Sequence, residues 1–448
     1  MFVYCTIGPT ETLRSRQSEA NTMERRILHA DFNSFYASVA CFLDPALRPH
    51  PVAVAGDPEA RHGIILAKNE AAKRFGVKTG EAIWQAKKKC PLLVTVRPDF
   101  ETYQKFSALG REIYGEYSDQ VEAFGLDESW IDVSAAAGSM EDARRLADAI
   151  RRRILSELGI TVSIGVAANK VFAKLGSDIR KPNAVTVVSP ENYKAVAWPL
   201  PAGDLLYVGR ATRARLRTLG ILTIGDLAAA PLPLLSAQFG KCGVMLHAFA
   251  NGRDAAPVLH TVDQPPVKSV GNGITTPHDL CDNEDVYLTV FMLAESVAAR
   301  LREHGLHART AAIGVRDVNL SSFIRQTKLE RPSSITAELA NACMRLFAES
   351  YDWQANVRSL SVSASDLVPA DRPEQLSLFG NEAARRRAEA AESAVDDIRR
   401  RFGYRAIGRA IFLKDLTIGL LDPKDDHVIH PVGYLQNNTM DRVIGGAQ

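Results

Sequence analysis

Apolar positions along the chain switch repeatedly between a period near two and a period near 3.6, the mark of a mixed α and β protein. A β-rich run from Arg26 to Ala30 ends at Asp31, and Phe35, Val39 and Phe42 then recur at helical spacing, so strand passes into helix. Val121 to Phe124 and Ser129 to Val133 read as two short strands joined by Gly125-Leu126-Asp127-Glu128, a hairpin with acids at its tip. Ser139 with Asp142 three residues on is a capping pattern, and Leu146, Ile150, Ile154 and Leu158 follow at helical spacing until Gly159 stops them. Ile160 to Val166 is the next strand. A helix over Lys170 to Ile179 and a strand over Ala184 to Val188 complete a β-α-β-β-α-β order, the split ferredoxin-like unit.

Other stretches change character. Residues 1–22 carry no periodic pattern and precede Met23, so they read as a disordered leader, or as following an upstream start codon that is not used, with translation beginning at Met23. Residues 49–98 form an insertion with short strands and a helix around Asn69 to Phe75, too small for more than a minor domain. The pattern is purely helical from about Ala202 to Asp254, with Val208-Gly209-Arg210 before a helix over Ala211 to Leu219 and Thr223 opening another. Pro257 to Pro266 is Pro-rich and reads as a linker. Beyond it, strands over Ala311 to Val318 and Val357 to Val362 alternate with helices over Asp285 to Glu303 and Ser334 to Phe347, a second α+β domain. After Pro369 the chain is polar, and Ala383 to Arg401, with Arg385-Arg386-Arg387 and Arg399-Arg400-Arg401, reads as a solvated charged helix rather than a DNA or repair-partner contact.

A chain of 448 residues has room for several cores, and three to four domains are expected. The formal net charge is only +2, so any basic footprint must be local. The 6 cysteines lie far apart and fit neither a zinc spacing nor a secreted disulfide framework, which points to a reducing cytoplasm. No apolar run approaches the roughly 20 residues that span a bilayer, and no membrane partner is expected.

Asp31 at the end of one strand, with Asp127 and Glu128 at a neighbouring hairpin, would supply three carboxylates to one place if the strands pair in ferredoxin-like order. Such oxygen donors suit hard divalent cations, and a pair of Mg²⁺ ions about 3.5 to 4 Å apart is what phosphoryl transfer to a 3′-hydroxyl uses. The competing reading makes Asp31 a helix cap and Asp127-Glu128 a solvated turn.

The residues around these acids settle the expectation. Ala30-Asp31-Phe32-Asn33-Ser34-Phe35-Tyr36-Ala37-Ser38-Val39, Asp127-Glu128-Ser129-Trp130-Ile131-Asp132, and Asn169-Lys170-Val171-Phe172-Ala173-Lys174 followed by Lys181-Pro182-Asn183 resemble, in order and spacing, three signatures of the Y-family DNA polymerases, over roughly residues 24 to 370. The resemblance implies an α+β right-hand polymerase. Its parts would be a ferredoxin-like palm (23–48 and 99–190), small fingers (49–98), a helical thumb with a helix-hairpin-helix (191–256), a linker (257–266), an α+β little finger (267–369) and a tail (370–448). It implies catalytic and metal-holding roles for Asp31, Asp127 and Glu128, a backbone carbonyl ligand from Phe32, and two Mg²⁺ ions per site. Tyr36 would be a steric gate against a 2′-hydroxyl, and Lys181 and Lys73 would hold the triphosphate. Glu70 stands where many members carry a Tyr, which makes Lys68 a substitute donor, and Gly125-Leu126 replaces the usual Ser-Ile.

Val208, Gly209 and Arg210 look like the turn of a helix-hairpin-helix, where backbone N–H groups meet a DNA phosphate. Lys268-Ser269-Val270-Gly271-Asn272 resembles the start of the little finger, with Gly273 in place of a frequent acid. Gln375-Leu376-Ser377-Leu378-Phe379 resembles the bacterial sliding-clamp-binding peptide, an extended segment with apolar anchors for a surface groove. The implied partners are primed DNA, deoxynucleoside triphosphates and the clamp, the implied state a monomer and the implied work translesion synthesis in DNA repair. Two rivals differ in class. A non-catalytic scaffold relative would not retain the acids, and a nucleotide cyclase shares the palm and the two-metal chemistry but needs no DNA-gripping domain.

Overall fold

The computed structural model describes residues 25–57, 63–261, 267–373, 382–419 and 421. The leader, both candidate start methionines and the peptide Gln375 to Phe379 lie outside the described residues. The described chain forms two compact units, one ending in the 257–264 stretch and one beginning at Pro265.

The first unit is built on a five-stranded sheet of order β5-β6-β1-β7-β8, with β1 Ile27–Phe32, β5 Val121–Ala123, β6 Glu128–Asp132, β7 Val162–Ala167 and β8 Val185–Val188. Every residue of β1 is buried, as a central strand covered on both faces must be. The helix Met140–Leu158 begins where Ser139 caps the Asp142 N–H and ends at Gly159, whose φ of 67° requires the left-handed region. Close backbone approach seats the helix Lys170–Ile179. A Cβ at Gly165 of β7 would lie 1.9 Å from the Ala173 carbonyl oxygen, and one at Gly176 would lie 3.1 Å from the Gly165 Cα. On the other face the helix Phe100–Gly115 comes down on Phe32 through Gly110, where a Cβ would meet the ring at 2.5 Å.

Within this unit β2 Val52–Ala55, β3 Ile65–Lys68 and β4 Val94–Val96 form a separate small sheet of order β3-β2-β4. After β8 and the short helix Tyr193–Ala197 come four further helices: Arg210–Thr218, Ile224–Ala229, Leu232–Phe239 and Lys241–Ala250. The second of them opens on a capping box in which Thr223 and Asp226 satisfy each other's backbone N–H. The Pro-rich stretch expected as linker is not free over its first residues. Leu259 N–H donates to Glu122 Oε2 at 3.0 Å and Thr261 N–H to the Asp119 carbonyl at 3.2 Å, because Lys170 already holds the Glu122 carboxylate in place at 2.6 Å.

The second unit carries a four-stranded antiparallel sheet of order β11-β10-β12-β9, with β9 Ser269–Leu280, β10 Leu306–Asp317, β11 Ser322–Ser333 and β12 Val357–Pro369. The helices Asn283–Glu303 and Thr336–Ser350 pack over it, and Leu293, Val297, Phe347 and Val362 lie in the core between. The helix Glu382–Phe402 corrects the solvated reading of the charged stretch. On one face its charges turn inward to partners, while Arg386, Arg387, Arg400 and Arg401 stay exposed: Arg399 meets Glu295 at 3.0 Å, Asp396 meets Arg302 at 2.6 Å, and the buried Glu392 accepts from Thr336 and Arg409, both at 2.7 Å. Phe412 and Ile418, further on, enter the same core.

Candidate active site

The site grows from the register of β1. Asp31 pairs with Glu128 of β6, and His29 pairs with Trp130, so these four side chains share one face of the sheet. Asp127 is the last turn residue before β6, and its carbonyl accepts the Phe32 N–H at 2.9 Å, which ties the turn to the end of β1. Gly125 in that turn has φ 94°, a conformation that a Ser there would adopt only under strain. Ser34, not Asp31, precedes the helix Phe35–Leu43 as its cap residue, so the helix-cap reading of Asp31 does not hold.

Two lysines from the opposing helix and its following loop enter this face. Lys181 Nζ lies 2.8 Å from Asp31 Oδ2, and Lys174 Nζ lies 2.9 Å from Glu128 Oε1 and 3.8 Å from Asp31 Oδ2. Burial pushes the Asp31 carboxyl above its ordinary range, with Lys181 opposing. Burial and then the Glu128 charge push Asp127 up to about 6. Glu128 goes the other way: burial alone would raise it, but the contacts with His29 and Lys174 hold it below its ordinary value. Among the described residues no three His, Cys, Asp or Glu side chains close on one point as a finished cation cage. On the same face Asp31 and Glu128 each hold an ammonium, that of Lys181 and that of Lys174.

The residues nevertheless suit a divalent cation. Asp127 and Asp31 are held against ionisation, and Glu128 Oε2 is a buried carboxylate oxygen with no hydrogen-bond partner. A positive ion relieves all three conditions at once.

Around the acids, Asn33 donates to Ser163 Oγ at 3.0 Å and accepts the Asn183 N–H at 2.8 Å, which fixes the loop that carries Lys181. Tyr36 stacks on Tyr103 at 4.2 Å and meets Phe100 edge-on. A cavity of about 270 Å³ opens beside Asn33, Ser34, Ser38, Glu70 and Pro182.

Comparison with known proteins matches residues 30–178 to the impB/mucB/samB family, 267–378 to that family's C-terminal domain, and 203–254 to a DNA polymerase-iota thumb domain. The chain is 49% identical over 393 residues to a DNA polymerase IV of Acetivibrio thermocellus, covering 88% of this chain and 98% of that one. The chain belongs to the Y-family DNA polymerases. It is therefore a DNA-directed DNA polymerase of the translesion class. A DNA polymerase IV of Bacillus subtilis is 37% identical over 396 residues, with 87% and 94% of the two chains covered. A solved Y-family DNA polymerase chimera shares the fold at a TM-score of 0.69 and 23% identity, over 77% of this chain and 99% of the other.

In this polymerase Asp31, Asp127, Glu128, Phe32 and Lys181 meet at one end of β1. Tyr36 sits on the first turn after it. Lys73 and Lys68 are turned elsewhere: Lys73 pairs with Glu70 at 2.5 Å, where Ser34 Oγ also donates at 3.2 Å, and Lys68 donates to Thr79 at 2.8 Å. Gly209 precedes the helix Arg210–Thr218 with open space where a Cβ would be and no side chain capping the helix N–H groups. Val208 packs inward and Arg210 is exposed. Sequence reasoning missed His29, Ser177 and the role of Lys174. A histidine two residues before the acid, within an otherwise apolar strand, was the signal for the first.

Proposed function

We propose that the protein extends the 3′ end of primed DNA with deoxynucleoside triphosphates at the end of β1, using Asp31, Asp127, Glu128 and the Phe32 carbonyl to hold a pair of Mg²⁺ ions. The observation that carries this reading is the cross-strand pairing of Asp31 with Glu128, with Asp127 tied to Phe32 beside them. Bound there, the ions would stabilise charge on the attacking and leaving oxygens of an in-line displacement. The chain's own groups do the positioning. Lys181, released from Asp31, would meet the triphosphate through charge-assisted hydrogen bonds, with Lys73 leaving Glu70 to do the same and Lys68 beside it. Tyr36, braced by Tyr103 and Phe100, closes the space where a ribose 2′-hydroxyl would sit.

Backbone N–H groups at Gly209 and Arg210, with Val208 anchoring the turn in the core, suit a DNA phosphate, and contact of this kind is salt-sensitive and sequence-blind. The solved neighbours include an insertion ternary complex and a post-insertion binary complex of Dbh DNA polymerase, which fits primed DNA and nucleotide as partners here. Gln375 to Phe379 would tether the enzyme to a sliding clamp and raise its concentration at the primer end. The deciding experiment is primer extension. Wild-type protein with Mg²⁺, primed template and deoxynucleotides should elongate the primer and Asp127→Ala should not; elongation by the variant would remove the acids from the mechanism.

A further inference from the structure

Behind the turn that carries Asp127, the helix Phe100–Gly115 sets Ser107, Gly110, Arg111 and Tyr114 on one face, at the i, i+3, i+4 and i+7 spacing that lines side chains up along a helix. Gly110 lets that face come down on the Phe32 ring, and the Tyr114 ring lies 6.4 Å from the same ring between centroids. Ser107, 1% exposed, donates its hydroxyl proton to the Leu126 carbonyl oxygen, and Arg111 donates a terminal guanidinium N–H to Ser107 Oγ at 2.5 Å.

The donors and acceptors leave one assignment. A guanidinium can only donate and a carbonyl oxygen can only accept, so the serine accepts from Arg111 and points its single O–H at Leu126. A hydrogen bond from an ionised donor is a strong one, and the oxygen that accepts it is polarised into a better donor. Without Arg111 the hydroxyl of a helical serine has an alternative close by, the carbonyl four residues earlier, which here is that of Tyr103.

The turn itself is held at three points. Phe124 N–H donates to the Glu128 carbonyl at 2.8 Å, Phe32 N–H donates to the Asp127 carbonyl at 2.9 Å, and Ser107 takes the Leu126 carbonyl. The first closes the hairpin and the second ties it to β1. The third comes from the helix behind. Gly125, at φ 94°, directly precedes Leu126 and brings wide backbone freedom to it, so the peptide leading into Asp127 depends on that outside anchor. Arg111 is at the same time poorly placed for stability. Among the described residues no carboxylate forms an ion pair with it, its hydrogen-bond partner is Ser107, and burial holds the guanidinium below its ordinary value. A largely desolvated cation without a counter-ion weakens a fold, which points to a task other than holding it together.

We propose that Ser107 and Arg111 are positioning residues: Arg111 orients the Ser107 hydroxyl onto the Leu126 carbonyl, and that contact sets where the Asp127 carboxylate stands for the divalent cations. This rests on the reading of Asp127 as a cation ligand. Groups that orient a ligand from behind change metal affinity by roughly 10- to 100-fold when removed.

The test reads cation binding directly, by electron paramagnetic resonance titration of Mn²⁺ into the full chain with primed DNA and a non-hydrolysable deoxynucleotide, with thermal melts of the same proteins. Ser107→Ala, which keeps the helix and removes the O–H, should weaken Mn²⁺ binding about 10-fold. Arg111→Met should also weaken it while leaving Tm unchanged or raised, since the unpaired charge is gone. The double variant should bind about as weakly as Ser107→Ala alone, because Arg111 acts through the serine. If Ser107→Ala does not fold, Arg111→Met carries the test through its opposite effects on binding and Tm. Unchanged binding in either single variant, losses that multiply in the double variant, or a Tm lowered by Arg111→Met would overturn the proposal. Asp127→Asn separates it from its premise. If that variant binds Mn²⁺ like wild type, the ligand role of Asp127 falls; if it loses binding while Ser107→Ala does not, only the positioning role falls.

Discussion

The ammonium of Lys181 lies 2.8 Å from Asp31 Oδ2 across the mouth of the site, and Asp178 holds it from the other side, also at 2.8 Å. A cation at Asp31 would compete with Lys181 and free it for the triphosphate. Lys181→Met should raise KM for the incoming deoxynucleotide by about 10- to 100-fold, the equivalent of one or two charge-assisted hydrogen bonds, and lower kcat less. Steady-state single-nucleotide insertion measures both. A loss confined to kcat would move Lys181 from nucleotide holding to some other task.

Tyr36 keeps its place by stacking on Tyr103 rather than through a hydrogen bond. Tyr36→Ala removes the ring but not the helix that carries it. The ratio of kcat/KM for deoxy- over ribonucleotides should drop at least about 10-fold, consistent with loss of a steric clash. Insertion assays with matched nucleotide pairs read this ratio.

The acids give the cation-free protein a pH dependence with two opposing windows. Asp127 ionises in the folded protein only near pH 6, against an ordinary 3.8, so its charge penalises the folded state above that range. Stability from this group falls as the pH rises from about 4 to about 6, by on the order of 1 to 2 kcal/mol after solvent screening. Glu128, held below its ordinary 4.5, contributes stability above that value that is lost as the pH falls. Added Mg²⁺ should therefore raise Tm more at pH 7 than at pH 5, and Asp127→Asn should shrink the upper window, leaving the part that Asp31, also raised by burial, contributes. Thermal melts of chelator-treated protein check both.

Gly165 admits the helix Lys170–Ile179 to within backbone contact of β7. Gly165→Ala should cost about 1 to 3 kcal/mol as an overpacked site and also lower activity, because Lys174 rides on that helix. A variant with reduced Tm but full insertion rate would separate the packing from the chemistry.

Glu295 lies almost fully buried on the helix Asn283–Glu303, and its counter-charges, Arg399 at 3.0 Å and Arg409 at 2.7 Å, come from beyond the clamp-like peptide. Truncation after Gly380 should destabilise the second unit by at least about 3 to 5 kcal/mol, the cost of one uncompensated buried charge, before the loss of Phe412 and Ile418 from the core is counted. Glu295→Gln in the truncated protein should recover part of that loss. Proteolysis and thermal melts report it.

Much of this was legible in the residues. Period-two and period-3.6 runs located β1, the helix Met140–Leu158 with its Ser139 cap and Gly159 stop, and the helix Lys170–Ile179. The meeting of Asp31 with Glu128 followed from ferredoxin-like strand order, because register is specified wherever a face is buried. What escaped was non-local. β11 is polar and largely exposed and β9 is interrupted by Gly and Pro, so neither shows a clean apolar alternation. The helix Glu382–Phe402 hid its buried face because that face is charged, and its ion partners lie far away in the chain. His29 was hidden by being one polar residue in an apolar strand, its partners on two other elements.

The Glu295 pairings carry an implication for biogenesis. During synthesis the glutamate emerges well ahead of the two guanidinium groups that neutralise it, so the ribosome must finish the distal arginines before this half of the molecule can bury its own anion. Until then the nascent segment has reason to stay open to chaperones, and a stop codon just past Gly380 would yield a chain unable to complete its fold.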